Sequence, residues 1–233
     1  MQIVILVGGR GTRLGPLTND VPKPLIKING IPFLEILIKY LKQQGFLKII
    51  LCVGYLSDKI ENYFLDGRNL GVEIKYSKEN EPLGTGGAIL NSISLLEDEF
   101  IVINGDTFLE LNYKKFINFS QKSSKLCTVV GFSDSHSDND FINNLFINKK
   151  LEVKNYSKNK SFSNLNYVDV GIYFFKKESM KYFTDSYPIS LECDIFPKLI
   201  QDKQMSGFLT ESKFYDIGTT EKINKFKRFF QNN

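Results

Sequence analysis

A short apolar run, Ile3 to Val7, breaks into Gly8, Gly9, Arg10, Gly11, Thr12 and Arg13. A run of this length, rich in Ile and Val, reads as a buried strand. Glycines directly after it admit positive φ and let the backbone approach a ligand closely. N–H groups freed in such a turn can point at phosphate oxygens. Arg13 adds a planar fork of donors. Lys23, ten residues on and held between Pro22 and Pro24, adds a compact charge on a stiff segment. The stretch reads as a cradle for a polyanion, although an ordinary glycine-rich turn between strand and helix fits the glycines equally well. GxxxxGK[ST] is absent, and Leu14 stands where a GxGxxG motif would need its last glycine.

With 233 residues the chain is long enough for one domain with a full core. A net charge of +4 suits an anionic small substrate and is too dispersed for nucleic acid. Cys52, Cys127 and Cys193 lie far apart without metal-ligand spacing and read as buried, reduced thiols of a cytoplasmic protein. The single histidine, His136, falls in a polar loop. The N-terminal apolar run is too short for a signal peptide, and no apolar stretch is long enough for membrane insertion.

Apolar spacing predicts a helix over 33–44 with Gly45 as its stop, a strand over 48–53, a helix capped by Ser57 and a strand over 72–76. A helix over 85–96 and a strand over 100–103 follow. Alternation of this kind implies an α/β layer with a mixed, mainly parallel sheet, in which ligands bind beyond the carboxyl ends of the strands. Residues 1–111 read as a nucleotide half. Residues 112–233 read as a more β-rich half that builds a substrate pocket within the same domain: helices over 112–122, 179–184, 190–201 and from Thr220, and short strands between them.

A second glycine-rich loop, Glu81 to Ala88, again follows a strand and precedes a helix. Asp106, after Asn104 and Gly105, and Asp216, in Tyr215 to Thr219, supply acids near strand ends. Two carboxylates beside a triphosphate would give the oxygen ligands Mg²⁺ prefers; a single Asp in such a place also serves as a cap or turn residue.

These motifs together resemble the sugar-phosphate nucleotidyltransferases. The matching segments are GGRGTRL at 8–14, PKPL at 22–25, EPLGTGGAI at 81–89, NGD at 104–106, VDVGIYFF at 168–175 and YDIGT at 215–219. SLECDIF at 190–196 and the short length give a further likeness to the bacterial heptose 1-phosphate guanylyltransferases. The resemblance implies a Rossmann-like three-layer sandwich, Mg²⁺ as cofactor, and an NTP and a sugar 1-phosphate as substrates for cell-surface glycan synthesis. It leaves the oligomeric state open, a homo-oligomer included.

By the same resemblance, Val7, Gly8, Gly9, Gly11, Thr12 and Arg13 embrace the NTP phosphates, and Lys23 contacts phosphate during transfer. Gly84 and Thr85 lie beside the base, and Asp106 and Asp216 hold the metal. Asn104, Gly171 and Glu192 line the sugar pocket. The family's F-x-E-K lysine has no direct counterpart: the stretch reads Tyr156-Ser157-Lys158-Asn159-Lys160, so either Lys158 or Lys160 takes the sugar phosphate. Glu79 only accepts hydrogen bonds, and guanine offers two adjacent donors where uracil and thymine offer one. That favours GTP over UTP, CTP or dTTP, unless Glu79 is simply an exposed acid. A related glycosyltransferase would carry a D-x-D motif, which Asp106-Thr107-Phe108 lacks, and a silent nucleotide-sugar sensor would have lost Arg13, Lys23 or an aspartate.

Overall fold

The computed structural model describes residues 1–133, 141–157, 164–184 and 187–231. Strand β1 (Gln2–Leu6) runs into two 3₁₀ turns, Thr12–Thr18 and Lys23–Leu25, and a small hairpin of β2 (Lys27–Ile28) and β3 (Ile31–Pro32). Then come α1 (Phe33–Gln43), β4 (Lys48–Val53), α2 (Ser57–Phe64), β5 (Glu73–Lys78), α3 (Gly84–Asn91), β6 (Glu99–Asn104) and β7 (Thr107–Leu109). The second half holds α4 (Tyr113–Lys122), β8 (Cys127–Phe132), the hairpin of β9 (Leu145–Ile147) and β10 (Val153–Tyr156), and β11 (Val168–Lys176). It ends with α5 (Phe196–Gln201), β12 (Met205–Thr210), β13 (Phe214–Asp216) and α6 (Thr220–Gln231).

A seven-stranded sheet in the order β12-β8-β11-β6-β1-β4-β5 carries strands of both halves. Only β11 runs antiparallel to its neighbours. Parallel strands covered on both faces need apolar side chains at every position, and Ile3, Val4 and Ile5 are fully buried. Ile3 and Ile5 point to one apolar layer with α1, α2, α4 and α6; Val4 points to the other, with α3 and α5. This is the three-layer α/β sandwich the sequence implies, and β9 and β10 form the small β elaboration.

Local chemistry shifts several boundaries. Helix α3 stops at Asn91 because the Ser92 hydroxyl donates to the Ile89 carbonyl (2.7 Å), and a 3₁₀ turn follows. The segment opened by Ser190 starts as a wide π turn, Leu191–Ile195; Pro197 has no N–H to continue an α ladder there. Ser57 is not a cap: it lies inside α2, behind a left-handed Leu56. Helix α6 is capped by Thr219, whose hydroxyl accepts from Lys222 N (3.3 Å), and not by Thr220. Residues 179–184, predicted as a short α-helix, lie mostly in a 3₁₀ helix, Lys177–Tyr182. Among the described residues, no helix is long and apolar enough to cross a membrane.

Candidate active site

The chain builds outward from β1 in one direction, to β4 and β5, and then crosses to β6 on the other side. Strand order therefore reverses at β1, and the loops leaving the carboxyl ends of β1 and β6 part there to form a crevice. A cavity of about 470 Å³ occupies that place. Its walls are the 7–13 loop, Lys23, Glu79, Pro82, Gly84, Thr85, and Asn104 to Asp106; Leu6, Cys52 and Ala88 also line it. This volume lies within the usual range for small-molecule sites.

At one end the groups are cationic. Lys23 is buried at the start of the turn Lys23–Leu25, and its Nζ lies 2.5 Å from Asp106 Oδ2. Arg13 is exposed at the mouth, near Gly218, and makes no ion pair among the described residues. Gly11 takes a left-handed conformation (φ 65°), and its carbonyl accepts from Leu14 N and the Thr18 hydroxyl. The loop is thereby folded back so that Arg13 and Lys23 share one cavity.

The two aspartates come from neighbouring rows. Asp216 pairs with Thr107 in the β13–β7 ladder, and Ile217 N donates to the Asp106 carbonyl at 3.0 Å. Their side chains part. Asp106 lines the cavity with Lys23, while Asp216 pairs with Lys222 (2.5 Å), accepts from Gly218 N (2.8 Å) and lines a second, small pocket. Among the described residues no group of three acidic, histidine or cysteine side chains could hold a metal alone. Asp106, and Asp216 tied to it through the Ile217–Asp106 backbone bond, are donors of the type Mg²⁺ takes one or two of beside phosphate oxygens and water. Each is paired with a lysine.

At the other end sits Glu79, just past β5. Its carboxylate packs against the backbones of Gly8 and Gly54; a Cβ on Gly8 would lie 2.6 Å from Oε1. Glu79 is half-buried and no ion pair neutralises it among the described residues; Leu83 N donates to its Oε2 (3.3 Å), and burial raises its pKa. The glycines of the first loop thus admit an acid as well as a ligand.

The second glycine loop works differently from a phosphate loop. The N–H groups of Gly86 and Gly87, which a helix start would offer to an anion, both donate to the Ile189 carbonyl (2.8 and 3.2 Å). Gly84 is left-handed (φ 77°), and any side chain there would collide with that carbonyl. Thr85 donates to Glu192 Oε2 (3.1 Å) and accepts from Leu191 N (2.8 Å), while Ser190 also donates to Glu192 Oε2 (2.6 Å). Thr85 and Glu192, expected to contact nucleotide and sugar respectively, are bonded to each other.

Gly171 lies in a bulge of β11 with φ 74°, and a Cβ on it would strike the Asn104 side chain. The bulge is fixed by Asp169, a lone acid in an apolar strand, which accepts from Gly171 N (2.8 Å) and the Tyr173 hydroxyl (2.8 Å). Burial pushes the Asp169 carboxyl up to about 6 from an ordinary 3.8. Between those values the folded chain holds a proton that the unfolded chain has lost, so this group's stabilisation is full at low pH and disappears as pH rises through about 6. In denaturant titrations, wild-type stability therefore falls as pH rises from 3.8 to about 6 by a component absent from Asp169→Asn. Equal slopes in the two proteins would contradict this.

Lys158 and Lys160 lie outside the described residues, as does His136. Cys52 and Cys127 are buried as expected, but Cys193 is exposed on the turn after Ser190. Sequence reasoning passed over Asp169 and Lys222. The first was visible as an acid within an apolar run; the second carries no sequence signal, since Asp216 ends β13 and Lys222 lies in the first turn of α6.

The nucleotidyl transferase family model matches residues 2–233. The chain belongs to that family. Among the relatives of this nucleotidyl transferase is the D-glycero-alpha-D-manno-heptose 1-phosphate guanylyltransferase of Campylobacter jejuni, 34% identical over 97% of this chain and 98% of that one. The enzyme of the same name from Aneurinibacillus thermoaerophilus is 31% identical over 99% of each. Of solved structures, HddC from Yersinia pseudotuberculosis superposes with a TM-score of 0.85 at 36% identity, covering 98% of this chain and 99% of that one. The same protein complexed with GMP-PN gives 0.83 at 35%, with the same coverage.

Proposed function

We propose that this nucleotidyl transferase joins GTP to D-glycero-α-D-manno-heptose 1-phosphate, giving GDP-heptose and pyrophosphate. The observation that carries the base assignment is Glu79: an unneutralised, half-buried carboxylate at one end of a cavity whose other end holds Lys23 and Arg13. Guanine N1–H and its 2-amino group meet such an acceptor side by side. The names of the two bacterial relatives supply the sugar. The product suits a glycosyltransferase that builds cell-surface glycan. Two buried free thiols support the cytoplasm as the place of reaction.

In the reaction a phosphate oxygen of the sugar 1-phosphate attacks the α-phosphorus of GTP. A new P–O bond forms as the bond to the β-phosphate oxygen breaks, and pyrophosphate leaves with the electron pair. The attacking phosphate is already ionised at neutral pH, so no general base is required. The protein's work is positioning and charge balance. Lys23, buried and aimed into the cavity, faces the phosphates, and Arg13 reaches them from the mouth. Asn104, pressed by Gly171, faces the same crevice from the sugar side. Asp106 and Asp216 would hold Mg²⁺, which when bound neutralises phosphate oxygens.

Pyrophosphate release is the test, with GTP, UTP, CTP and dTTP each paired with heptose, mannose, glucose and N-acetylamino-sugar 1-phosphates. GTP with the heptose phosphate should give the highest kcat/KM. Preference for a pyrimidine nucleotide would overturn the base assignment, and preference for another sugar phosphate would overturn the sugar.

A further inference from the structure

The first turn of α3 is locked to residues 189–192 of the other half. Ile189 N donates to the Leu83 carbonyl (2.8 Å), the Ile189 carbonyl takes Gly86 N and Gly87 N, and Leu191 N donates to the Thr85 hydroxyl. The Thr85 hydroxyl in turn donates a hydrogen bond to Glu192 Oε2, which also accepts from the Ser190 hydroxyl. Side chains are excluded where the segments touch: a Cβ on Gly86 would lie 2.8 Å from the Ile189 side chain, and one on Gly87 2.9 Å from Tyr187. Gly84 and Thr85 at the same time line the nucleotide cavity. One residue therefore lines one substrate's site and holds, through its hydroxyl, the carboxylate expected in the other.

We infer that Thr85 is a positioning residue that couples the two substrate sites: nucleotide seated against the Gly84–Thr85 turn fixes the 189–192 segment and hence Glu192. The physical basis is that ordering cost is shared. A segment already immobilised by the first substrate costs less to order for the second, which gives positive cooperativity without a change of shape. The Thr85 hydroxyl makes the only side-chain hydrogen bonds from the α3 turn to that segment among the described residues. Its loss also strands Leu191 N–H. The inference rests on the proposed placement of nucleotide and sugar phosphate.

Thr85→Val keeps the shape and removes both hydrogen bonds; Thr85→Ser keeps them. With GTP and the heptose 1-phosphate, Thr85→Val should raise KM for the sugar phosphate roughly tenfold, the size expected for losing a hydrogen bond to a carboxylate. By the same coupling, affinity for GTP should fall by a similar factor when the sugar phosphate is bound, whereas the Kd for GTP alone should change much less, and Thr85→Ser should restore both. Hydrogen exchange over 187–195 gives a second readout that needs no turnover. GTP alone should slow exchange there in the wild type and leave it unchanged in Thr85→Val. Weaker binding of GTP alone in Thr85→Val, with an unchanged sugar KM, would make Thr85 a nucleotide contact and overturn the coupling. So would wild-type exchange over 187–195 that ignores GTP. If the wild type turned over neither substrate, the exchange result would still decide the coupling, while the substrate assignment would fall separately.

Discussion

Lys23→Met should leave the protein folded and lower kcat by about 10²–10³-fold, the range seen when one preorganised charge is removed from a transition state. The side chain it replaces is nearly buried, and methionine fills similar space. The Asp106 carboxylate that loses its partner is a third exposed, so water can solvate it and the structural loss stays small. Transfer has no such substitute: the transferring and leaving phosphates would lose the one buried cationic side chain that lines the cavity among the described residues, and Arg10 and Arg13 are exposed. Thermal melting within a few degrees of wild type, with kcat down and KM for GTP little changed, is the expected pattern. A kcat within about tenfold of wild type would remove Lys23 from the chemistry.

Glu79→Gln should cut kcat/KM for GTP by about 100-fold while costing UTP much less, so that nucleotide preference collapses. The carboxylate offers acceptors only. An amide turns a donor toward one of guanine's two donors, and that clash cannot be relieved by rotation, because the Gly8 and Gly54 backbones hold the group in place. Uracil, with an acceptor beside its single donor, matches the amide. The comparison requires both nucleotides assayed against the heptose 1-phosphate in both proteins. An unchanged GTP-to-UTP ratio would show that Glu79 does not read the base.

The parts of the molecule legible in sequence were those set by local pattern. The uninterrupted apolar run of β1 reported a strand covered on both faces, and the strand–helix alternation reported a mainly parallel sheet. A glycine loop at the end of β1 and an acid at the end of β6 placed the crevice, since both follow strands that meet at the switch point. What was not legible depends on contacts distant in sequence. The glycines of 84–87 read as a second ligand-facing loop, and only the fold shows that the Ile189 carbonyl takes the N–H groups of Gly86 and Gly87. Asp106 and Asp216 read alike as acids near strand ends, yet the β7–β13 pairing sends Asp106 into the cavity with Lys23 and Asp216 to Lys222. Thr107–Leu109 gave no strand signal because its partner, Phe214–Asp216, lies more than a hundred residues away.

The most direct test follows the phosphorus. With the heptose 1-phosphate present, label in the α-phosphate of GTP should appear in the sugar nucleotide. Label in the γ-phosphate should leave as pyrophosphate, with the two products formed in equal amounts. Transfer of γ-label to the sugar, or release of GDP and phosphate without a sugar nucleotide, would contradict attack at the α-phosphorus and with it the reaction assigned to this crevice.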